Sequence, residues 1–207
     1  MIKNLFFKQK NKAMLLMDPI DSFKKYLTEN FSISETTWAL IHPLLKEKRI
    51  NKNTFIVEEN QTYSKELFLV SGIVRLFYLD SDGNEINIAF YRGIEILPPY
   101  FTRNLNGKHS CHIEALSDVV LVEFEAESFS KLIRSNAEVQ HFATQAVEKE
   151  LRYKVEREKL YLSQNAQTRL ADFRSRYKGL ENEIPHYHIA SYLGISPVSL
   201  SRLRKDS

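Results

Sequence analysis

Between residues 20 and 48, apolar side chains recur at steps of three and four: Phe23, Tyr26 and Leu27, then Ile33, Trp38, Ile41, Leu44 and Leu45. With Ser34 and Thr36-Thr37 as cap-like residues, this spacing predicts two short helices. From Asn51 the rhythm shortens. NTFIVEE, ELFLVSG, IVRLFYLD, EINIAFYR and VVLVEFE are β-branched or aromatic runs with turn residues between them, which predicts strands. Asp82-Gly83, between IVRLFYL and EINIAFY, supplies a tight hairpin turn. Strands this short and this regularly interrupted predict an antiparallel roll or barrel, not a parallel sheet with crossover helices.

Beyond Glu125 the helical period returns. No glycine or proline occurs from Glu127 to Leu162, and Val139, Ala143, Val147, Leu151 and Val155 recur at steps of four. A single helix from about Asn136 to Leu162 would approach 40 Å at about 1.5 Å per residue. A helix longer than a small domain needs is expected to pair with a twin or to join two domains. SQNAQ then interrupts, TRLADFRSRY resumes the period, and GLENEIP breaks it again.

The final stretch, IASYLGISPVSLSRLRKDS, has the anchor pattern of a helix-turn-helix. Ala190 is the small residue in the first helix, and Gly194, four positions on, is the turn residue tolerant of positive φ. Ile189, Leu193, Ile195, Leu200 and Leu203 hold the inward positions. Ser196 as cap and Pro197 in the first turn start a second helix. Its outward residues, Ser196, Pro197, Val198, Ser199, Ser201, Arg202, Arg204 and Lys205, are the expected contacts to double-stranded DNA. Arg202 suits a guanine edge, the serines suit phosphates or base edges, and Arg204 and Lys205 suit phosphates.

Charge agrees with that assignment. The net charge is +3, but residues 163–207 hold seven Lys/Arg against four Asp/Glu, and residues 1–16 hold four lysines and no acid. The middle of the chain is therefore acidic. One cysteine, Cys111, excludes an internal disulfide and leaves too few thiolates for a zinc knuckle or an iron–sulfur cluster. No apolar run approaches the roughly 18–20 residues of a membrane span. In the opening MIKNLFFKQKNKAMLL, KQKNK breaks the apolar stretch, so no signal-peptide core is expected. Residues 1–16 are read as a non-native or disordered extension preceding MDPIDSFKKYL, and the expected compartment is the cytoplasm.

SGIVRLFYLDSDGNEINIAFYRG, HIEALSDVVLVEF, the long helix and the closing IASYLGISPVSLSRLRK together resemble the Crp/Fnr family of bacterial transcription regulators, particularly Bacteroidetes-type members. The resemblance covers about residues 20–207. It implies an α+β protein: an antiparallel β-roll of the double-stranded β-helix or jelly-roll type with flanking helices, a long dimerisation helix and a small helical helix-turn-helix domain. The implied boundaries are 17–135 for the cyclic-nucleotide-binding-like sensor, 136–162 for the dimer helix and 163–207 for the reader. The implied function is transcription regulation by a homodimer on a palindromic operator, with RNA polymerase and a small-molecule effector as further partners.

Departures from the family pattern concern the effector pocket and the ending. Nucleotide-binding members carry a Gly-Glu pair and then an Arg-Ser/Thr-Ala run. Here Leu97-Pro98 and His109-Ser110-Cys111 stand in those places, and only Ser110 matches. A prolyl nitrogen cannot donate, and a neutral histidine lacks the fixed charge and fork that suit a phosphate. Glu95 and Arg103 are the register-shifted substitutes. The roll is therefore expected not to bind cyclic AMP. The sequence ends at Ser207, so no wing is expected after the reader helix. Arg202 matches a family arginine, whereas Pro197 and Val198 occupy slots that are charged in many members, which places Val198 against a thymine methyl.

No enzyme is expected. His109, His112 and Glu114 raise a cupin-like metal site, but on a strand residues 109 and 112 face opposite ways, and His42, His141, His186 and His188 have no spacing that completes a ligand set. No glycine-rich phosphate loop or nucleophile elbow occurs, and no cofactor is expected. A sensor or scaffold that kept the roll without DNA binding is the competing expectation.

Overall fold

The computed structural model describes residues 17–97, 103 and 106–205. The proposed extension at 1–16, and Pro98, lie outside the described residues. Two compact units are present. The first comprises the chain up to Arg75 with Phe90–Ala146, and the second comprises Leu76–Ala89 with Val147–Ser207.

The first unit opens with α1 (Pro19–Phe31) and α2 (Glu35–Ile41). Asp18 caps α1 by accepting from the Ile20 and Asp21 amides, and Pro19 takes the first helical position, where no amide is needed. Ser34 caps α2 through the Thr37 amide. Eight strands follow: β1 (Lys46–Ile50), β2 (Phe55–Val57), β3 (Lys65–Ser71), β4 (Ile73–Leu79), β5 (Glu85–Arg92), β6 (Glu95–Leu97), β7 (His112–Ala115) and β8 (Val119–Glu125). They form two four-stranded antiparallel sheets, ordered β1-β8-β3-β6 and β2-β7-β4-β5. The α+β roll expected from the sequence is the observed fold.

Pairing is fixed by the central strand β8, which sets Glu123 opposite Lys46 on one side and opposite Leu67 on the other. The face of β3 and β8 that carries Phe68, Val70, Val122 and Phe124 is covered by α1 and α2. Phe23 of α1 stands 4.5 Å from the Phe68 ring centre and 6.0 Å from that of Phe124. Burying such rings supplies the main stabilisation of the unit, roughly 25 cal/mol per Å² of apolar area. Gly72, between β3 and β4, has φ +102°, and a Cβ there would fall 2.5 Å from the Asp118 carbonyl oxygen.

Two strands differ from expectation. KEKRI, which continues the helical region in the sequence pattern, forms β1, and EIL forms β6. The helix expected from about Asn136 to Leu162 is present, and a separate helix precedes it. α3 (Ala126–Ser135) ends at Asn136, whose φ of −135° is extended, and α4 runs over Ala137–Ser163. The Asn136 side chain caps α4 by accepting from the Val139 amide at 3.0 Å and donates to Thr37 Oγ1 at 3.1 Å.

In the second unit, α4 continues to Ser163 and is followed by α5 (Ala166–Arg176), α6 (His186–Leu193) and α7 (Pro197–Lys205). The ends of β4 and β5 and their turn belong to the same unit. Its apolar centre holds Leu170, Phe173, Leu180, Ile184, Ile189, Ala190, Leu193 and Leu200.

Candidate nucleic-acid interface

α6 and α7 meet at Gly194, as the anchor pattern predicts. Gly194 has φ +65° and ψ +38°, the left-handed conformation that ends a helix without a Cβ clash. The Gly194 amide donates to the Ser191 carbonyl and the Ile195 amide to that of Ala190, both at 3.1 Å. These bonds close the end of α6. Ser196 Oγ then accepts from the Ser199 amide at 3.1 Å and caps α7, with Pro197 in its first turn.

The inward residues Ile189, Ala190, Leu193 and Leu200 are buried, and Ile195 and Leu203 are half-buried. On the other side of α7, Ser196, Pro197, Val198, Ser201, Arg202 and Lys205 are exposed. Val198, at 61% exposure, is an apolar side chain with no core to enter. Ser199 is only partly exposed, and its hydroxyl lies 2.9 Å from that of Ser196.

Arg204 is placed differently from its expected role on a phosphate. Its Nε donates to Glu181 Oε1 at 2.6 Å, and Nη1 lies 2.9 Å from His186 Nδ1. Arg174 binds the same carboxylate through two bonds, at 2.7 and 3.1 Å. The Arg174 hydrogen bond is the main cause holding the Glu181 carboxyl below its usual range, with Arg204 adding to it. Arg204 therefore ties the end of α7 to the segment before α6.

Hydrogen bonds missed in the sequence brace the same helix pair. Ser191 of α6 donates to the Glu85 carbonyl at 2.6 Å and accepts from the Asn87 amide at 2.9 Å. Asn87 is fully buried, and its Nδ2 donates to the His188 carbonyl at 3.3 Å. The turn behind these strand ends is built as predicted: Gly83 has φ +80°, and Asp80 Oδ1 accepts from the amides of Asp82 and Asn84. Alternation offered a signal for Asn87, since it shares a strand face with Ala89 and Tyr91, both buried.

Three tyrosines connect α4 to this unit. Tyr153 Oη lies 3.1 Å from the hydroxyls of both Tyr177 and Tyr192, and burial pushes the Tyr153 phenol far above its ordinary range.

Of the expected dimer stripe, Val139 is buried in the first unit beside Phe142, so it packs within the protomer. Ala143 is half-buried. Val147, Leu151 and Val155, at 37%, 59% and 41% exposure, continue the stripe in the second unit.

The expected effector residues lie in the first unit. Arg103 forms an isolated bridge with His109, and its Nη2 donates to Glu66 Oε1 at 2.9 Å and to the Lys65 carbonyl at 3.1 Å. The His109 ring is fully buried against Tyr63, with Nε2 3.4 Å from the Tyr63 carbonyl. Burial is the main cause holding its imidazole below the ordinary histidine range. Ser110 is exposed, and its Oγ lies 3.8 Å from the sulfur of Cys111, which is buried. Glu95 is half-buried on β6, opposite Leu69, and its charge helps burial push the Tyr26 phenol up to about 12. Among the described residues, no group of three or more His, Cys, Asp or Glu side chains could hold a metal.

Residues 47–136 match the family model described as Cyclic nucleotide-binding domain. FixK2 from Bradyrhizobium japonicum is similar in structure, with a TM-score of 0.69 and 20% identity over 78% of this chain and 83% of that one. A Eubacterium rectale protein assigned to the crp/fnr family of transcriptional regulators gives 0.68 and 20%, covering 84% of this chain and 83% of its own. The Thermus thermophilus Catabolite Activator Protein gives 0.54 and 21%, covering 87% and 85%. The fold is that of the Crp/Fnr transcriptional regulators. No curated protein sequence matches the chain significantly. In this Crp/Fnr fold the matched stretch spans the roll from β1 to the end of α3, and α6 and α7 form the helix-turn-helix.

Proposed function

We propose that this protein is a cytoplasmic, homodimeric transcription regulator that reads a palindromic operator in double-stranded DNA through α7. The observation that carries the proposal is the exposed face of α7. Val198, Ser201, Arg202 and Lys205 point away from a core that Leu200 completes, on a helix whose start is fixed by Ser196 and Gly194. A helix presented in this way suits the major groove, with Arg202 able to engage guanine O6 and N7 as a fork. The exposed Val147, Leu151 and Val155 support self-association along α4, and a two-fold dimer requires two half-sites. Among the described residues no helix is long and apolar enough to cross a membrane.

The roll serves as an effector domain that does not take cyclic AMP. Arg103 is paired with Glu66, and burial, which disfavours the charged imidazole, holds His109 below the ordinary histidine range, so neither suits a cyclic phosphate. The effector is a different small molecule, and contact with RNA polymerase would turn operator occupancy into a transcriptional response.

Genomic binding-site selection with the purified protein tests the reader. A palindromic sequence is expected, and Arg202→Ala should weaken its binding by about 1–3 kcal/mol and relax preference at one position per half-site. Failure to retain any duplex would favour a scaffold without DNA binding. A rise in Tm with cyclic AMP or cyclic GMP would overturn the account of the roll.

A further inference from the structure

Three arginines of the C-terminal unit have acidic neighbours. Arg174 and Arg204 share Glu181, and Arg176 lies 3.4 Å from Glu156 and 3.9 Å from Asp172. Arg157 and Arg169 differ. Among the described residues, neither has a carboxylate within ion-pair distance. Arg157 donates to the Tyr192 carbonyl at 3.4 Å, and its guanidinium carbon lies 4.3 Å from the Tyr161 ring centre. The guanidinium carbon of Arg169 lies 5.0 Å from the same ring. Both arginines keep a buried Nε without a hydrogen-bond partner.

Stacking on a tyrosine attracts each cation but leaves guanidinium donors unused. A buried donor without an acceptor is costly, and two like charges around one ring repel. Arg169 also sits in the first turn of α5, where the helix dipole is already positive. Helix stability disfavours a cation at this position, whereas an incoming anion would satisfy both the charge and the free donors.

Location identifies the anion. A Cβ on Gly194 would lie 3.7 Å from Tyr161 Cε1 and 4.0 Å from Arg169 Nη1, so the cluster borders the turn between α6 and α7. Ser196, the cap of the reader helix, follows two residues later.

We propose that Arg157 and Arg169, braced on Tyr161, clamp a backbone phosphodiester of duplex DNA beside the bases that α7 faces. The clamp rests on the proposal that α7 reads DNA. Its contribution is independent of base sequence, because charge and donor geometry recognise phosphate alone.

Binding of a labelled operator duplex and of an unrelated duplex of equal length, followed by fluorescence anisotropy across a potassium chloride series, tests the clamp. Arg169→Gln is expected to weaken both duplexes alike and to make the log–log salt slope shallower by about 0.9, the value for one phosphate contact. Arg169→Lys should keep most of the slope. Should Arg169→Gln lose cooperative unfolding, Arg157→Gln reads the same quantity. A folded neutral variant with the wild-type slope overturns the clamp while leaving α7 as the reader. Wild-type protein that binds neither duplex overturns both.

Discussion

Asn87 and Ser191 are hydrogen-bonded at 2.9 Å across a sequence separation of 104 residues. The first lies on β5 and the second in α6, which packs against α7. The Ser191 hydroxyl donates to the Glu85 carbonyl while accepting from the Asn87 amide. Ser191→Ala would remove both of these hydrogen bonds. A loss of about 1–3 kcal/mol is expected in urea denaturation, with the slope unchanged if unfolding stays two-state.

Glu181 couples two arginines, and its folded carboxyl is held below the usual carboxylate range. The stabilisation it confers is present above the unfolded pKa, near ~4.3, and is lost as pH falls through the lower folded value. Glu181→Gln should remove that acidic limb from a plot of stability against pH. It should also release Arg204, so non-specific DNA binding at neutral pH is expected to become tighter and its salt dependence steeper.

Leu151 leaves 59% of its surface exposed on a helix that has apolar neighbours four residues to either side. Leu151→Glu should shift the protein from dimer to monomer in light scattering at micromolar concentration. Operator affinity should fall with it, because two half-sites then bind independently. Unchanged mass would remove this stripe as the dimer interface.

Gly72 tests the roll itself. Gly72→Ala combines a positive φ with a Cβ 2.5 Å from the Asp118 carbonyl oxygen and 2.8 Å from a Val119 methyl. The backbone contribution alone is about 1–3 kcal/mol. Thermal unfolding should show a marked fall in Tm without loss of the C-terminal helices in circular dichroism.

Features set by local chemistry were legible in the sequence. Gly194, Ser196 and Pro197 announce the turn and α7 because each satisfies a backbone requirement of its own neighbours. The central strands were legible because both sheets bury β-branched and aromatic side chains. β1 was not: KEKRI is an edge strand paired to β8 through its backbone, and its charges belong at an edge. The start of α4 also had a local signature, since asparagine is a strong helix cap and the helix begins directly after Asn136. Contacts set by distant partners left no trace. Arg204 has the appearance of a phosphate contact until Glu181 and His186 are placed beside it. Arg169 falls outside the helix-turn-helix pattern, so only the fold brings it to Gly194.

The hydroxyl triad of Tyr153, Tyr177 and Tyr192 has a practical consequence for dissecting the protein. A fragment containing only residues 163–207 would leave Tyr192 and Tyr177 without Tyr153, and Ser191 without Asn87. Extending the fragment back through α4 restores the first loss but not the second. The unit that holds α6 and α7 is discontinuous, so only a fragment reaching back to Leu76 contains all of it.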